Sequence, residues 1–207
     1  PGMERFNFFD FLMPGQLVYM LLAAGMMTTA TSLAQQRQTG SLRHLFTTPV
    51  SMGAWASAQM LANVFLASLQ ILILFTAAWL MFGVHVPYNI PATIVTLIIC
   101  SLTSLSMGLA VGSMLRSVEA TVPVTIILFL LLTMFGNAVM PMEDAPAFML
   151  SLQKVMPSMY MTQALRQTMM QGKGLSSILG DLAILSACMV GFGSLALWRI
   201  RKQVTAA

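Results

Sequence analysis

The chain has 207 residues, of which 57% are hydrophobic and only 8% charged, and its mean hydropathy is +0.82. Soluble domains carry about a quarter charged residues, so this composition excludes a soluble globular domain and makes the bilayer the solvent. The net charge of +4 is small and scattered, which excludes a nucleic-acid surface and suits membrane topology instead.

Five stretches reach the roughly 20 apolar residues that a membrane-crossing helix needs. They predict an all-α polytopic membrane protein, organised as one transmembrane domain over residues 1–207. The first span runs from about 14 to 34, with Pro14 in a first turn that tolerates proline. A polar island follows at 35–49: Gln35, Gln36, Arg37 and Gln38 lead to Gly40, then Leu42, Leu45 and Phe46 recur at helical spacing before Pro49. It is too polar to cross a bilayer. Its periodicity predicts a short amphipathic helix rather than a solvated connector.

The second span, about 57–83, is long enough to tilt. Gln59, Asn63 and Gln70 are spaced i, i+4, i+11 along it. At about 100° per residue they share one helical face. Polar groups are costly in lipid, so that face is read as the wall of a translocation path or as a set of interhelical hydrogen bonds.

Pro87 and Asn89 mark a turn into the third span, about 91–115, where Pro91 sits in the first turn and Cys100 is an apolar-run residue. Ser104, Gly108 and Gly112 form a small-residue ladder on it, predicting a close helix–helix approach. The fourth span, about 120–140, has Pro123 near its start, where a kink can form. The fifth, about 178–198, carries Asp181 near one end, within reach of Arg166 or of interfacial water. It also carries Cys188, and Gly191 and Gly193 as further packing glycines. The two lone cysteines, each inside an apolar run, give no disulfide framework and no metal spacing.

Between the fourth and fifth spans, residues 141–174 are neither a span nor a polar loop. Asp144 can cap a short helix beginning near Pro146, with Phe148, Met149, Leu152 and Val155 on its apolar side. Pro157-Ser158 breaks and restarts the chain, and a second helix runs toward Gly172, a C-terminal cap. Two short amphipathic helices predict re-entrant pieces, or a hairpin lying on the membrane surface. Nine of the 20 methionines gather here and at the end of the fourth span, from Met134 to Met170. Such flexible side chains suit an adaptable exit for amphiphiles or the packing of broken helices.

Positive charge sets the orientation. With 35–56 in the cytoplasm, that side holds Arg37, Arg43, Arg116, Arg199, Arg201 and Lys202, with Glu119 as its acid. The other side holds Arg5, Lys154, Arg166 and Lys173 against Glu4, Asp10, Glu143 and Asp144. A cytoplasmic C-terminus follows, in a cell membrane of the bacterial inner-membrane type. Five spans then leave the N-terminus outside. The opening Pro1-Gly2, with no signal peptide visible, predicts one further span upstream and six in the intact domain.

The order of these features resembles the transmembrane domain of an ABC-2 type transporter permease, the type V ABC exporter fold. Phe11-Leu12-Met13-Pro14-Gly15 is similar to the family's Pro-Gly opening of its second span. Gly40-Ser41-Leu42, followed by Leu45 and Thr48-Pro49, resembles its Gly-Thr-Leu loop. Met140-Pro141, Pro146, Pro157 and Tyr160 resemble its outer re-entrant region. The resemblance implies that Gly40, Ser41, Leu42, Arg43, His44, Leu45 and Phe46 form a coupling helix that contacts a separate ABC ATPase subunit. It also makes Pro141, Pro146, Pro157 and Tyr160 an outer gate. Acidic residues are usual just before the Gly and after the Leu, where this chain has Gln36, Gln38 and Arg43. Contact therefore rests more on Leu42, Leu45 and Phe46 than on ion pairs.

No phosphate-binding loop is present. Gly172-Lys173-Gly174 is similar to the end of one, but position 167 is Gln and position 174 is Gly. This chain is thus expected to bind no cofactor and to hydrolyse no ATP, with ATP and Mg on the partner ATPase. His44 and His85 lie in loops on opposite sides and cannot share a metal. The implied function is the permease subunit of an ATP-driven exporter of an amphiphile, such as a drug, a lipid or a lipid-linked glycan. It would pair with a second permease domain, as a homo- or heterodimer, in membrane lipid. The alternatives are a membrane scaffold without transport activity and a proton-coupled transporter, for which Asp181 would be the intramembrane acid.

Overall fold

The computed structural model describes residues 8–39, 52–83, 87–115, 117–136 and 151–205. Helix α1 covers Phe8–Leu22, and a π-helical segment, Ala23–Thr28, joins it to α2, Thr29–Gln38. Then come α3, Met52–Phe82; α4, Ile90–Met114; α5, Val118–Phe135; α6, Pro157–Met169; a 3-10 turn, Leu175–Ser177; and α7, Leu179–Thr205. No strand occurs among the described residues. Five helical stretches are long and apolar enough to cross a membrane: Leu12–Gln38, Ser57–Met81, Ile90–Met114, Val118–Phe135 and Leu179–Ile200. The protein is therefore all-α and multi-pass, as helices keep their backbone hydrogen bonds internal where no water is available. The third of these spans is the most covered by protein and the second the least, with 61% against 11% of their most apolar stretches buried.

The ends of the helices differ from the apolar boundaries in informative ways. The first helical stretch continues past Ala34 to Gln38, so the polar start of the 35–49 island is the last turn of α2. Helix α5 stops at Phe135, where Gly136 N–H bonds the Leu132 carbonyl at 2.9 Å. Gly83 ends α3 with φ of 62°, a conformation that favours glycine.

Contacts divide the chain into two compact units, and every long helix contributes to both. One unit comprises the described parts of Leu21–Ala67, Ser101–Phe129 and Ala187–Ala207. In it, the small-residue ladder of α4 meets the backbone of the first helical stretch. A Cβ on Gly108 would lie 2.7 Å from the Met26 carbonyl oxygen and 2.8 Å from that of Gly25. One on Gly112 would lie 2.8 Å from the Ala30 carbonyl oxygen, and one on Gly25 would lie 2.6 Å from the Ser104 Cβ. Backbones approach this closely only where side chains are absent or minimal. The π-helical segment lies at this contact, and its displaced carbonyls are taken by hydroxyls. Thr28 donates to the Ala24 carbonyl, and Thr31 donates to that of Met27 at 2.8 Å. Beside the contact, Leu33, Leu105, Leu109, Ala196 and Ile200 form an apolar cluster with Met60 packed against it.

The other unit comprises the described parts of Pro1–Met20, Ser68–Cys100 and Leu130–Ser186. Its organising element is α6. Met156 is extended, with φ −81° and ψ 122°, and Pro157 opens the helix at its first turn, as its missing N–H permits. Ser158 then donates to the Leu132 carbonyl at 2.6 Å, seating the start of α6 on the end of α5. A Cβ on Gly136 would fall 2.5 Å from the Ser158 hydroxyl oxygen, so this contact also requires glycine.

Not every glycine packs. Gly193 has only the Ser106 hydroxyl near its open side, at 3.8 Å, and Gly191 has nothing within 4 Å. The expectation that both are packing glycines is thus corrected for Gly191, which sits on an exposed face. Gly108→Val is expected to lower stability by about 1–3 kcal/mol or to block folding, because backbone atoms stand where its side chain must go. Gly191→Ala is expected to be neutral or slightly stabilising. The thermal unfolding midpoints of the two purified variants in detergent check this contrast.

Candidate functional site

The residues expected to couple to a motor, Gly40, Ser41, Leu42, Arg43, His44, Leu45 and Phe46, lie outside the described residues, as do Pro141 and Pro146 of the expected gate. The segment that leads into the first group is described. Thr39 N–H bonds the Gln35 carbonyl at 3.0 Å, ending α2 one residue before Gly40. Arg37 Nη1 donates to the carbonyls of Ser113 at 3.2 Å and Leu115 at 3.3 Å. These belong to the C-terminal turn of α4, where helical carbonyls have no intrahelical partner and a cation also meets the negative end of the dipole. Gln38 Nε2 donates to Glu119 Oε2 at 3.1 Å, in the first turn of α5. The last turn of α2 is therefore tied to both sides of the α4–α5 connection. The signals were present in the chain, as Arg37 close before the Gly and Glu119 as the acid of its side, but nothing in their spacing pairs them.

The three polar residues of the second span have separate environments. Asn63 is buried, and its Nδ2 donates to the Thr29 hydroxyl at 3.4 Å. Gln59 is half-buried, whereas Gln70 is exposed. A shared helical face thus does not mean a shared neighbour: Asn63 reaches across to α2.

Pro157 is buried at the start of α6, and the Tyr160 hydroxyl donates to the Lys154 carbonyl at 2.7 Å, closing the turn that precedes the helix. The far end of α6 is fixed as firmly. Met169 accepts from Tyr88 N–H at 3.2 Å, and Lys173 N–H bonds the Gln167 carbonyl at 3.1 Å. Asn89 plays two parts. Its Oδ1 accepts from Ala92 N–H at 3.2 Å, capping α4, and its Nδ2 donates to the Lys173 carbonyl at 3.4 Å. Gly172 turns the chain with φ of 63°. Asp181 accepts a hydrogen bond from Gln167 Nε2 at 3.2 Å, so the acid of the last span faces α6. Cys100 and Cys188 lie within their spans, and neither forms a disulfide among the described residues. No group of His, Cys, Asp or Glu able to hold a metal ion occurs among the described residues.

Residues 2–198 match the family described as ABC-2 family transporter protein. Three relatives are similar along most of this chain. The first is ABC transporter G family member 20 of Dictyostelium discoideum, 22% identical over 174 residues, which are 84% of this chain and 24% of that protein. The second is the putative transport permease YvfS of Bacillus subtilis, 25% identical over 198 residues, 90% of this chain and 75% of the relative. The third is the inner membrane transport permease YhhJ of Escherichia coli, 22% identical over 181 residues, 85% and 47% respectively. The chain therefore spans about a quarter, three quarters and half of these relatives.

Arg37→Met leaves the Ser113 and Leu115 carbonyls without their charged donor and is expected to cost about 1–3 kcal/mol. Gln38→Leu, whose bond lies at the exposed rim, is expected to cost under about 0.5 kcal/mol. Thermal unfolding of the two variants, measured side by side, checks the ranking.

Proposed function

The chain belongs to the ABC-2 family of transporter proteins, and from that premise we propose that it is the permease subunit of an ATP-driven exporter. The observation that carries the reading is the family match over nearly the whole chain, on a protein with five helices able to cross a membrane. The relatives named as transport permeases support it. In this reading ATP and Mg act on a separate ABC ATPase, and a second permease domain, identical or not, completes the membrane part. The cargo is an amphiphile moved outward, and the C-terminus and residues 35–56 are cytoplasmic.

A motor can shift a permease between two states only through contacts that differ between them. Residues 40–46 are proposed as those contacts, carried chiefly by Leu42, Leu45 and Phe46. Their direct attachment to α2 supports this. Movement there acts on Arg37 and Gln38, and through their hydrogen bonds on the end of α4 and the start of α5. On the second span Gln59 and Gln70 are proposed to face the path, while Asn63 holds the helix to α2. Pro157 and Tyr160, which shape the entry to α6, are proposed as the described part of the outer gate, with Pro141 and Pro146 completing it.

The test uses the full protein and the ATPase that co-purifies with it, identified by mass spectrometry. Leu42→Asp and Phe46→Asp are each expected to reduce the bound ATPase and the stimulated hydrolysis at least about tenfold, because a charge replaces an apolar contact. Membrane insertion should remain normal. Unchanged association and hydrolysis in both variants would remove the coupling role from this element.

A further inference from the structure

From Ala187 on, α7 presents two unlike faces. Ala196 and Ile200 are buried in the cluster with Leu33, Leu105 and Leu109. Val190, Ser194, Trp198 and Lys202 follow one another every four residues on the other side, with Gly191 and Leu195 beside them, and all six are exposed. The Ser194 hydroxyl donates to the Gly191 carbonyl at 2.9 Å, so the one polar group inside this stripe is satisfied by its own helix. No atom stands within 4 Å of where a Gly191 Cβ would be, which leaves a shallow notch in the stripe.

The stripe ends on an aromatic ring flanked by two cations. Arg199 Cζ lies 6.0 Å and Lys202 Nζ 5.3 Å from the centroid of the Trp198 ring, within the range where a cation is attracted to a ring face. Arg199 Nε is shielded and has no acceptor among the described residues, so turning the guanidinium toward a ligand gives up no hydrogen bond of that atom. No acid occurs in the sequence from 182 to 207, so these cations have none on their own segment. From Val190 to Trp198 the helix rises about 12 Å. One leaflet, half of a hydrocarbon core, is roughly 15 Å deep, and tryptophan favours the level of the headgroups.

We infer that this face of α7 is a binding site for an anionic phospholipid, with an acyl chain along Val190, Gly191 and Leu195 and the phosphate on Arg199 and Lys202 beside Trp198. A lipid has both parts in this order: a chain one leaflet long and a charged head at its end. A soluble anion has only the second and makes no use of the stripe. A guanidinium fork and an ammonium both donate charge-assisted hydrogen bonds to phosphate oxygens. Each Lys or Arg near an anionic lipid surface strengthens binding about fivefold. The site needs neither an ATPase nor a cargo, so it and the exporter reading can fail separately.

The test is made on the full chain in phosphatidylcholine vesicles, with Trp55→Phe and Trp79→Phe leaving Trp198 as the sole indole of the three. Bromine on an acyl chain quenches a nearby indole, so brominated phosphatidylglycerol and brominated phosphatidylcholine report which lipid lies on this face. Phosphatidylglycerol is expected to occupy it at least about tenfold more strongly, and by less as salt is raised. Arg199→Gln and Lys202→Gln are each expected to lower this preference about fivefold. Lys202→Arg should retain it, and Lys154→Gln, on another element, should leave it unchanged. With Trp79 as the sole indole instead, on a helix without charged residues, no preference is expected. Equal quenching of Trp198 by the two lipids, a like preference at Trp79, or the full preference in Lys202→Gln overturns the site. Absence of quenching by either lipid also overturns it, and shows that a protein surface such as a second permease domain covers the stripe. Should Arg199→Gln fail to fold, Lys202→Gln at the exposed end of the helix decides the matter alone.

Discussion

Backbone meets backbone where Gly108 and Gly112 of α4 face residues 25–30, and one of the two compact units is organised around that contact. Lipid tails are as apolar as leucine, so helices in a bilayer gain little from simply hiding apolar surface from one another. They associate through close packing and hydrogen bonds instead, and small residues set how near they come. The π-helical segment Ala23–Thr28 lies at this approach, and Gly25 faces Ser104 there. With α4 held so closely, its last carbonyls come within reach of Arg37, and Glu119 within reach of Gln38. The link from the polar island to the α4–α5 connection thus follows from three missing side chains.

Several hydroxyls of the described spans turn to their own helix instead. Thr96, Ser106 and Thr125 each donate to a carbonyl of their own helix four residues back. A hydroxyl satisfied in this way costs little in lipid and says little about neighbours. The informative exceptions reach another element: Asn63 to Thr29, Ser158 to the Leu132 carbonyl, Gln167 to Asp181. In the second compact unit these exceptions let one short helix serve two purposes. Helix α6 is fastened at Ser158 and at Met169, buries one face, and leaves the other, with Gln163, Arg166 and Gln167, to line a cavity.

The five long apolar helices, the restart at Pro157, the close approach of Gly108 and Gly112 and the turn at Gly172 were all legible in the chain. Each follows from a local rule: a length set by bilayer thickness, a ring that fits a first turn, a missing Cβ that lets helices touch, a positive φ that favours glycine. Periodicity was a weaker guide. It puts Gln59, Asn63 and Gln70 on one face, yet one is half-buried, one bonded to Thr29 and one exposed. Analogy with the ladder of the third span was no better a guide for Gly191, which faces open space.

By itself the sequence determined that this is a helical membrane protein, which of its stretches are long and apolar enough to cross, and which residues punctuate them, because hydropathy and backbone geometry act over neighbouring residues. Only the tertiary structure decided that Arg37 caps α4, that Asn63 finds Thr29, and that Arg166 and Lys173 share one cavity. Helical spacing fixes the angle at which a side chain leaves its axis. What stands opposite is fixed by how closely another helix can approach, and that depends on the small residues of both.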